Sequence, residues 1–338
     1  MLFPRHTKVA SFLSSFLSSF LAALIALTLL SALSNDEALA LYPDRVVRIV
    51  VPFAPGGGTD VIARTLAQEM AKNLRASVIV ENRPGAGTIV GTQAVAASEP
   101  DGYTLLMGTF AHAVNPSLNA KLPYDPHKDF VPVALLARSF NVVVVNPKSS
   151  LRSIADLIAA AKADPGKLSY GTFGIGTSAH LAGELFKSMA RVDLTMVPYK
   201  GAAPGITDLI GGQIQVMFTT VASAASLIEA GQLRALAVTS PERSPAFPQL
   251  PTVAEAGVPF YAAESWYGLF APARTPAEVV DRLNTSAATA VRSEAFRRLG
   301  VNEGLVMVAG PPEELDRYVR GEEARWRRVI EDAGIKIE

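Results

Sequence analysis

Cysteine is absent from the 338-residue chain, and several kinds of site are excluded as a result. Without a thiol there is no disulfide framework, thiolate-bound zinc, iron–sulfur cluster, cysteine nucleophile or lipidated N-terminal cysteine. Histidine is scarce as well: the four residues, at positions 6, 112, 127 and 180, have no metal-binding spacing. We therefore expect neither a metal nor a cofactor.

A charge excess of either sign is also missing. The 31 lysine and arginine residues equal the 31 aspartate and glutamate residues in number. Because a surface that binds nucleic acid normally carries a basic excess, nucleic acid is not an expected partner.

Long apolar runs are confined to the N-terminus, which has the pattern of an export signal. Arg5, His6 and Lys8 give a positive start, residues 9–35 are uncharged, and Ala38-Leu39-Ala40 is a small-x-small cleavage pattern. We expect cleavage after Ala40, export to the periplasm and no membrane insertion of the cleaved chain. The uncharged stretch is long enough to span a bilayer, so an uncleaved anchor is the alternative.

The rest of the chain alternates strand, loop and helix patterns, which predicts an α/β fold. Val46–Val51 is a β-branched run typical of a strand buried on both faces, and a helical pattern follows from Thr59. Asn141–Val145 begins a second series of the same kind. This alternation predicts mostly parallel sheets flanked by helices, and the chain length predicts about two domains.

Two glycine-rich loops lie between a predicted strand and a predicted helix. The first is Gly56-Gly-Gly-Thr-Asp60, and the second runs from Gly171 to His180. Glycines allow close backbone approach, and a helix start offers N–H groups and a favourable dipole, so each loop is a candidate anion site. Neither loop has Walker or dinucleotide-binding spacing. The alternative is a structural turn, capped in the first loop by Thr59 or Asp60.

Other candidate residues have an ordinary structural interpretation beside the functional one. Ser178 and His180 are a possible nucleophile pair, but they lack a G-x-S-x-G elbow, and their spacing predicts different helix faces. Lys200 is a candidate partner for a ligand carboxylate or a solvated loop lysine. Trp266 and Tyr267 either line a cleft or pack the junction between domains.

Several longer stretches together resemble one family, the Bug-type periplasmic receptors of tripartite tricarboxylate transporters. They occur in the same order along the chain: Val50–Asp60, Val80–Gly87, Pro100–Leu106, Leu122–Asp125, Asp129–Val133, Gly176–Phe186, Val197–Gly201, Gly231–Thr239, Pro251–Gly257 and Trp266–Ala273. Many relatives carry aspartate after Val216-Met-Phe218, where this chain has Thr219 and Thr220, a change that disfavours an amino-acid ligand.

The resemblance implies a two-domain periplasmic-binding-protein fold of the Venus flytrap type, with two chain crossovers between domains. The expected division is a signal peptide at 1–40, domain I at 41–140 and 265–338, and domain II at 141–264.

The resemblance also implies which residues bind the ligand, a small organic acid held between the domains largely by backbone N–H groups. Carried over by position, they are Phe53, Ala54, Pro55, Gly56, Gly57, Gly58, Thr59 and Asp60 in the first loop, Thr109 and His112 after the third strand, Gly176, Thr177, Ser178 and His180 in the second domain, and Lys200, Gly201 and Ala202 beyond them.

The expected function is that of a monomeric receptor, not an enzyme, which delivers the acid to inner-membrane permease subunits. Two alternatives stay open at this point. One is a subunit that presents the ligand to a sensor kinase, and the other is a serine hydrolase that uses Ser178 and His180.

Overall fold

A sheet of ten strands runs through the computed structural model, which describes residues 42–244 and 246–332. The expected signal peptide and its cleavage site lie outside the described residues. Residues 42–44 contain no helix or strand, and the chain from Arg45 onward forms one compact unit. Within the described ranges, no helix combines the length and the apolar character needed to cross a membrane.

The first series of elements builds a parallel group of strands. In chain order they are β1 (Val47–Val51), α1 (Gly58–Leu74), β2 (Val78–Asn82), a 3-10 turn (Ala86–Thr88), α2 (Ile89–Ala96), β3 (Thr104–Thr109), α3 (Phe110–Leu118) and β4 (Phe130–Val145). β1 lies between β2 and β3 and is parallel to both. Its valine and isoleucine side chains at 47, 49, 50 and 51 are buried, as expected for a strand covered on both faces.

The second series repeats the alternation of helix and strand. It comprises α4 (Ile154–Ala163), β5 (Ser169–Thr172), α5 (Ser178–Ala190), β6 (Thr195–Pro198), α6 (Ala202–Ile210), β7 (Val216–Thr220), α7 (Val221–Glu229) and β8 (Arg234–Val238). The chain then continues through β9 (Glu264–Pro272), α8 (Ala277–Val291), α9 (Glu294–Glu303), β10 (Val306–Met307) and α10 (Pro312–Asp332).

The long strand β4 belongs to both halves of the sheet. Phe130–Phe140 pairs with β9, whereas Asn141–Val145 pairs with β7 and β8. Beside this change of partners, Thr239 Oγ1 accepts the Asn141 N–H at 2.8 Å and donates to the Ala263 carbonyl at 2.6 Å. One threonine therefore links the two chain segments that pass between the halves.

Most strands of each half run in one direction. In the first half, β9 runs against β1, β2, β3 and the first part of β4. In the second half, β4 runs against β5, β6, β7 and β8. The predicted α/β architecture with mostly parallel strands is confirmed.

The structure also contains elements that the sequence pattern does not predict. α3 replaces an expected loop after β3, the first part of β4 extends the strand expected at Asn141–Val145, and α9 separates the two expected C-terminal helices. Pro116 and Pro132 lie inside α3 and β4, and proline usually indicates the end of such elements. Tertiary packing overrides that local signal here.

Candidate functional site

The first glycine-rich loop places the start of α1 at the carboxyl end of β1. Gly57 is the N-cap residue and has an extended conformation. Because glycine has no side chain, it makes no side-chain capping hydrogen bond. Gly58 is the first helical residue, and its N–H donates to Ser223 Oγ at 2.8 Å. Because Ser223 belongs to α7, this bond joins the first half of the molecule to the second.

Asp60 holds the first loop in shape from within. This carboxylate is buried and accepts hydrogen bonds from the Gly56 N–H at 3.0 Å, Arg64 Nε at 2.9 Å and Asn82 Nδ2 at 2.9 Å. Burial alone would raise the pKa of Asp60, but the hydrogen bonds from Arg64, Gly56 and Asn82 outweigh it, and the net pKa is lowered. Its two oxygens are therefore occupied by the protein itself.

The second glycine-rich loop closes on itself at the start of α5. Thr177 is the N-cap, and His180 Nδ1 accepts the Gly176 N–H at 3.2 Å. Burial lowers the pKa of His180, which favours the neutral imidazole. Ser178 Oγ donates to Asn141 Oδ1 at 3.3 Å. The serine hydroxyl and the histidine Nδ1 therefore have other partners, an arrangement that gives no support to the hydrolase alternative.

Three helix N-termini face one small cavity, which we call the helix-end compartment. It has a volume of about 10 Å³, and it is lined by Phe53, Gly57, Gly58, Thr59, Phe173, Ala202, Thr220 and Ser223. α1 begins at Gly58, α6 at Ala202, and α7 directly after Thr220. Aligned N-termini present N–H groups and positive dipole ends to the same space, which makes it suited to an anion.

A larger cavity adjoins the first, and we call it the loop compartment. It has a volume of about 200 Å³, and it is lined by Pro52, Phe53, Gly85, Ala86, Gly87, Thr88, Phe173, Gly174, Ile175, Pro198, Tyr199 and Lys200. Phe53 and Phe173 line both compartments. The candidate site is thus a cleft with two parts that share an aromatic pair.

The loop around Lys200 contributes its backbone to the cleft. The Lys200 carbonyl accepts the Ala54 N–H at 2.9 Å, while its side chain is exposed to solvent. A Cβ at Gly201 would lie 3.1 Å from Ala54 Cβ. Pro55 and Gly56 are exposed beside this contact, so the two halves approach each other closely here.

Thr109 and His112 are placed differently from the sequence expectation. Thr109 ends β3 and precedes α3, and His112 lies inside α3; the expected loop at His112 is therefore wrong. The imidazole packs against the rings of Tyr124, Phe130 and Phe270. Burial lowers the pKa of His112 to about 4. Neither Thr109 nor His112 lines the helix-end or the loop compartment.

The structure adds lining residues that are not among the ligand-binding residues expected from the sequence. Phe173 does lie in the second glycine-rich loop, and Thr220 is one of the two threonines that disfavour an amino-acid ligand. Gly85–Thr88 follows β2, Phe173 follows β5, and Thr220 and Ser223 flank the start of α7. Because the carboxyl ends of parallel strands meet at one edge of a sheet, the loops after β2 and β5 have a signal that points to the site. Ser223 has none, since its position depends on how the two halves face each other. Among the described residues, no group of histidine, aspartate and glutamate side chains is arranged to hold a metal ion.

Comparison with known proteins identifies relatives over nearly the whole described chain. Residues 62–335 match the model of the tripartite tricarboxylate transporter family receptor. BugT of Bordetella pertussis is 38% identical over 298 residues, which cover 88% of this chain and 91% of BugT.

Solved structures give the same result for the fold. A Rhodopseudomonas palustris protein with adipate is 40% identical, with a TM-score of 0.85 over 87% of this chain and 99% of that chain. The periplasmic binding protein BugD is 34% identical, with a TM-score of 0.85 over 88% of this chain and 100% of that chain. The chain therefore has the two-domain periplasmic-binding-protein fold.

Proposed function

The chain belongs to the tripartite tricarboxylate transporter receptor family, and on that basis we propose that it is a periplasmic receptor for a small organic acid. In this proposal the acid binds as its carboxylate in the helix-end compartment, and closure of the two halves encloses it. The receptor performs no chemistry on the ligand.

The observation that carries this proposal is the meeting of the N-termini of α1, α6 and α7 at one cavity. Preorganised N–H groups bind a carboxylate with little reorganisation. The hydroxyl groups of Thr59, Thr220 and Ser223 line the same cavity. There Thr220 Oγ1 and Ser223 Oγ hydrogen-bond to each other at 2.9 Å, and Ser223 Oγ accepts the Gly58 N–H. None of the eight lining residues is acidic, so a ligand amine has no charged partner within this compartment.

The solved relative with adipate supports the ligand class. Adipate is a linear dicarboxylate, and the protein solved with it is 40% identical to this chain. We infer a carboxylate ligand of the same broad class here, without assigning the individual acid.

The test is a thermal-shift screen of the protein lacking residues 1–40 against a panel of organic acids. A ligand that binds only the folded state raises its stability by about 2.7 kcal/mol at a hundredfold excess over Kd. The best acid is then compared with its primary amide at one pH and ionic strength. We expect the amide to bind at least about tenfold more weakly, and equal affinities would overturn the anion site.

We also propose that domain I comprises 41–140 with 265–338, and that domain II comprises 141–264. The change of partners along β4 at Phe140 and Asn141 supports this division, as does the start of β9 at Glu264. β4 and β9 are adjacent strands at the boundary between the proposed domains, and we expect this boundary to act as a hinge. The ligand-free protein should therefore open in solution. Small-angle scattering should then show a smaller radius of gyration with ligand than without it, and identical profiles would contradict the hinge.

Delivery of the acid to inner-membrane permease subunits completes the proposal. We propose that the signal peptide is cleaved after Ala40 and that the receptor acts in the periplasm as a monomer. Intact-mass analysis of the native periplasmic protein should give the mass of a chain that begins at Leu41. Uptake of the identified acid should be lost in cells that lack the receptor and restored by its gene, whereas unchanged uptake would contradict a transport role.

A further inference from the structure

The cleft is divided by two phenylalanine rings that come from opposite halves of the molecule. Phe53 follows β1, and Phe173 follows β5. Their ring centroids are 6.0 Å apart at an interplanar angle of 71°, an edge-to-face contact. Both side chains are buried, with 5% and 8% of their surface exposed.

The rings stand where the two compartments meet, since each ring lines both cavities. On one side lie the helix N-termini and the hydroxyls of Thr220 and Ser223. On the other side lie the segments Gly85–Thr88 and Pro198–Lys200. A ligand that occupies both compartments must therefore pass the aromatic pair.

The sizes of the two compartments suggest how the aromatic pair affects which acids can bind. The helix-end compartment, at about 10 Å³, has room for about one water molecule. The loop compartment, at about 200 Å³, is much larger. With the rings in contact, an acid anchored at the helix N-termini has little space for its chain, and displaced rings would open the larger compartment to it.

We propose that Phe53 and Phe173 form an aromatic partition that sets the chain length of the acid the receptor accepts. This inference depends on the proposed function, because it assumes a carboxylate in the helix-end compartment. The partition favours short linear acids, whose chain displaces the rings least, over longer ones, whose methylene chain must cross between the rings into the loop compartment. Phe173 is the better residue to change, since Phe53 also belongs to the loop that presents Gly58.

The experiment measures Kd by calorimetry for succinate, adipate and suberate with the wild-type protein and with Phe173→Ala. One methylene group in an apolar pocket changes affinity by about tenfold or more. We therefore expect the ratio of Kd for suberate to Kd for succinate to fall by at least about tenfold in Phe173→Ala. A ratio that stays within about twofold of the wild-type value would overturn the partition.

Two further variants make the result specific. Phe260→Ala deletes the same ring at a position that is 95% exposed, and it should leave every Kd unchanged. Phe173→Leu keeps apolar bulk in the cleft and should shift the ratio less than Phe173→Ala; it also replaces that variant if circular dichroism shows that the alanine protein is unfolded. A shift as large in Phe260→Ala as in Phe173→Ala would contradict the proposal.

Failure of the partition can be distinguished from failure of the proposed function. If the wild-type protein binds these acids and only the length ratio is insensitive to Phe173, the partition is wrong and the receptor function stands. If the wild-type protein binds no acid in the broader screen, the proposed function is wrong, and the partition is wrong with it.

Discussion

The two glycine-rich loops share one order of strand, glycines and helix, but they use their N–H groups differently. In the first loop, the Gly58 N–H lies at the helix-end compartment and bonds across the cleft to Ser223. In the second loop, the Gly176 N–H donates to His180 Nδ1, and the Gly174 N–H donates to Thr172 Oγ1. The bond from Gly176 to His180 matches that from the Gly56 N–H to Asp60 in the first loop, so the difference between the loops is the bond that Gly58 makes across the cleft.

The helices of the second half that begin at the helix-end compartment are α6 and α7, not α5. The shorter turns before α6 and α7 bring Ala202 and Thr220 to the cavity. They contain fewer glycines than the Gly171–His180 loop and attract less notice in the sequence. A glycine-rich pattern thus predicts where a helix begins, but it does not predict which partner the N–H groups of that helix find.

The largest expected effect concerns Gly58. A Cβ at this position would lie 2.8 Å from Ala222 Cβ and 3.0 Å from Thr220 Oγ1, so Gly58→Ala should prevent closure around the ligand. We expect calorimetry to detect no binding of the identified acid. The control is Gly321→Ala, since a Cβ there meets nothing within 4 Å. Wild-type affinity in Gly58→Ala would show that the first loop is not the binding element.

The next largest effect is the pH dependence of stability caused by His112, a core histidine outside the candidate site. Because burial holds the pKa of His112 at about 4 against 6.5 in the unfolded chain, protons bind preferentially to the unfolded state between these values. The unfolding free energy is therefore unaffected by protonation of His112 above pH 6.5. It decreases as the pH falls from 6.5 to about 4, by up to about 3 kcal/mol. Denaturant unfolding at several pH values measures this loss.

His112→Gln is the matched variant for that measurement, because glutamine has no titrating group. Its unfolding free energy should fall less steeply than that of the wild-type protein between pH 6.5 and 4. An identical slope in both proteins would contradict the assignment of His112 to a neutral, buried state. Affinity for the acid at pH 7 should differ little, since His112 lines neither compartment.

Much of this comparison could be predicted from the sequence, and the limit has a physical cause. The β-branched run before Pro52 and the glycines after it predict β1, the loop and the start of α1, because each signal is local. Ser223 reaches the site only through the approach of two halves that are distant in sequence. No local pattern records that approach, and a proline such as Pro116 even indicates a break where α3 continues.

A smaller effect is expected when the internal support of the first loop is weakened. Asp60→Asn removes the charge that accepts bonds from Gly56, Arg64 and Asn82. We expect a loss of about 1–3 kcal/mol in unfolding free energy, as for other buried bonds to charged groups. Because the pKa of Asp60 is lowered from 3.8, this contribution is present above that pH and is lost as the pH falls below it.

Asp316→Asn is the control for Asp60→Asn. Its partner Arg320 is an exposed residue four positions along α10, and exposed pairs of this kind contribute about 0.3–0.5 kcal/mol. Denaturant unfolding at pH 7 should therefore separate the two variants clearly. Equal losses in both would mean that the Asp60 network does not hold the loop.

The smallest effect is expected in the second loop, and it is the sharpest check on the comparison. Ser178 is 2% exposed, its hydroxyl donates to Asn141, and it lines neither compartment. Ser178→Ala should therefore change the Kd of the acid by less than about threefold, while the lost hydrogen bond lowers stability by about 0.5–1.5 kcal/mol. Calorimetry well below the melting temperature, where the variant is folded, measures the Kd. Denaturant unfolding measures the loss of stability separately. A loss of affinity beyond about tenfold, or 1.4 kcal/mol, would mean that the second loop contacts the ligand directly and that the two loops are equivalent after all.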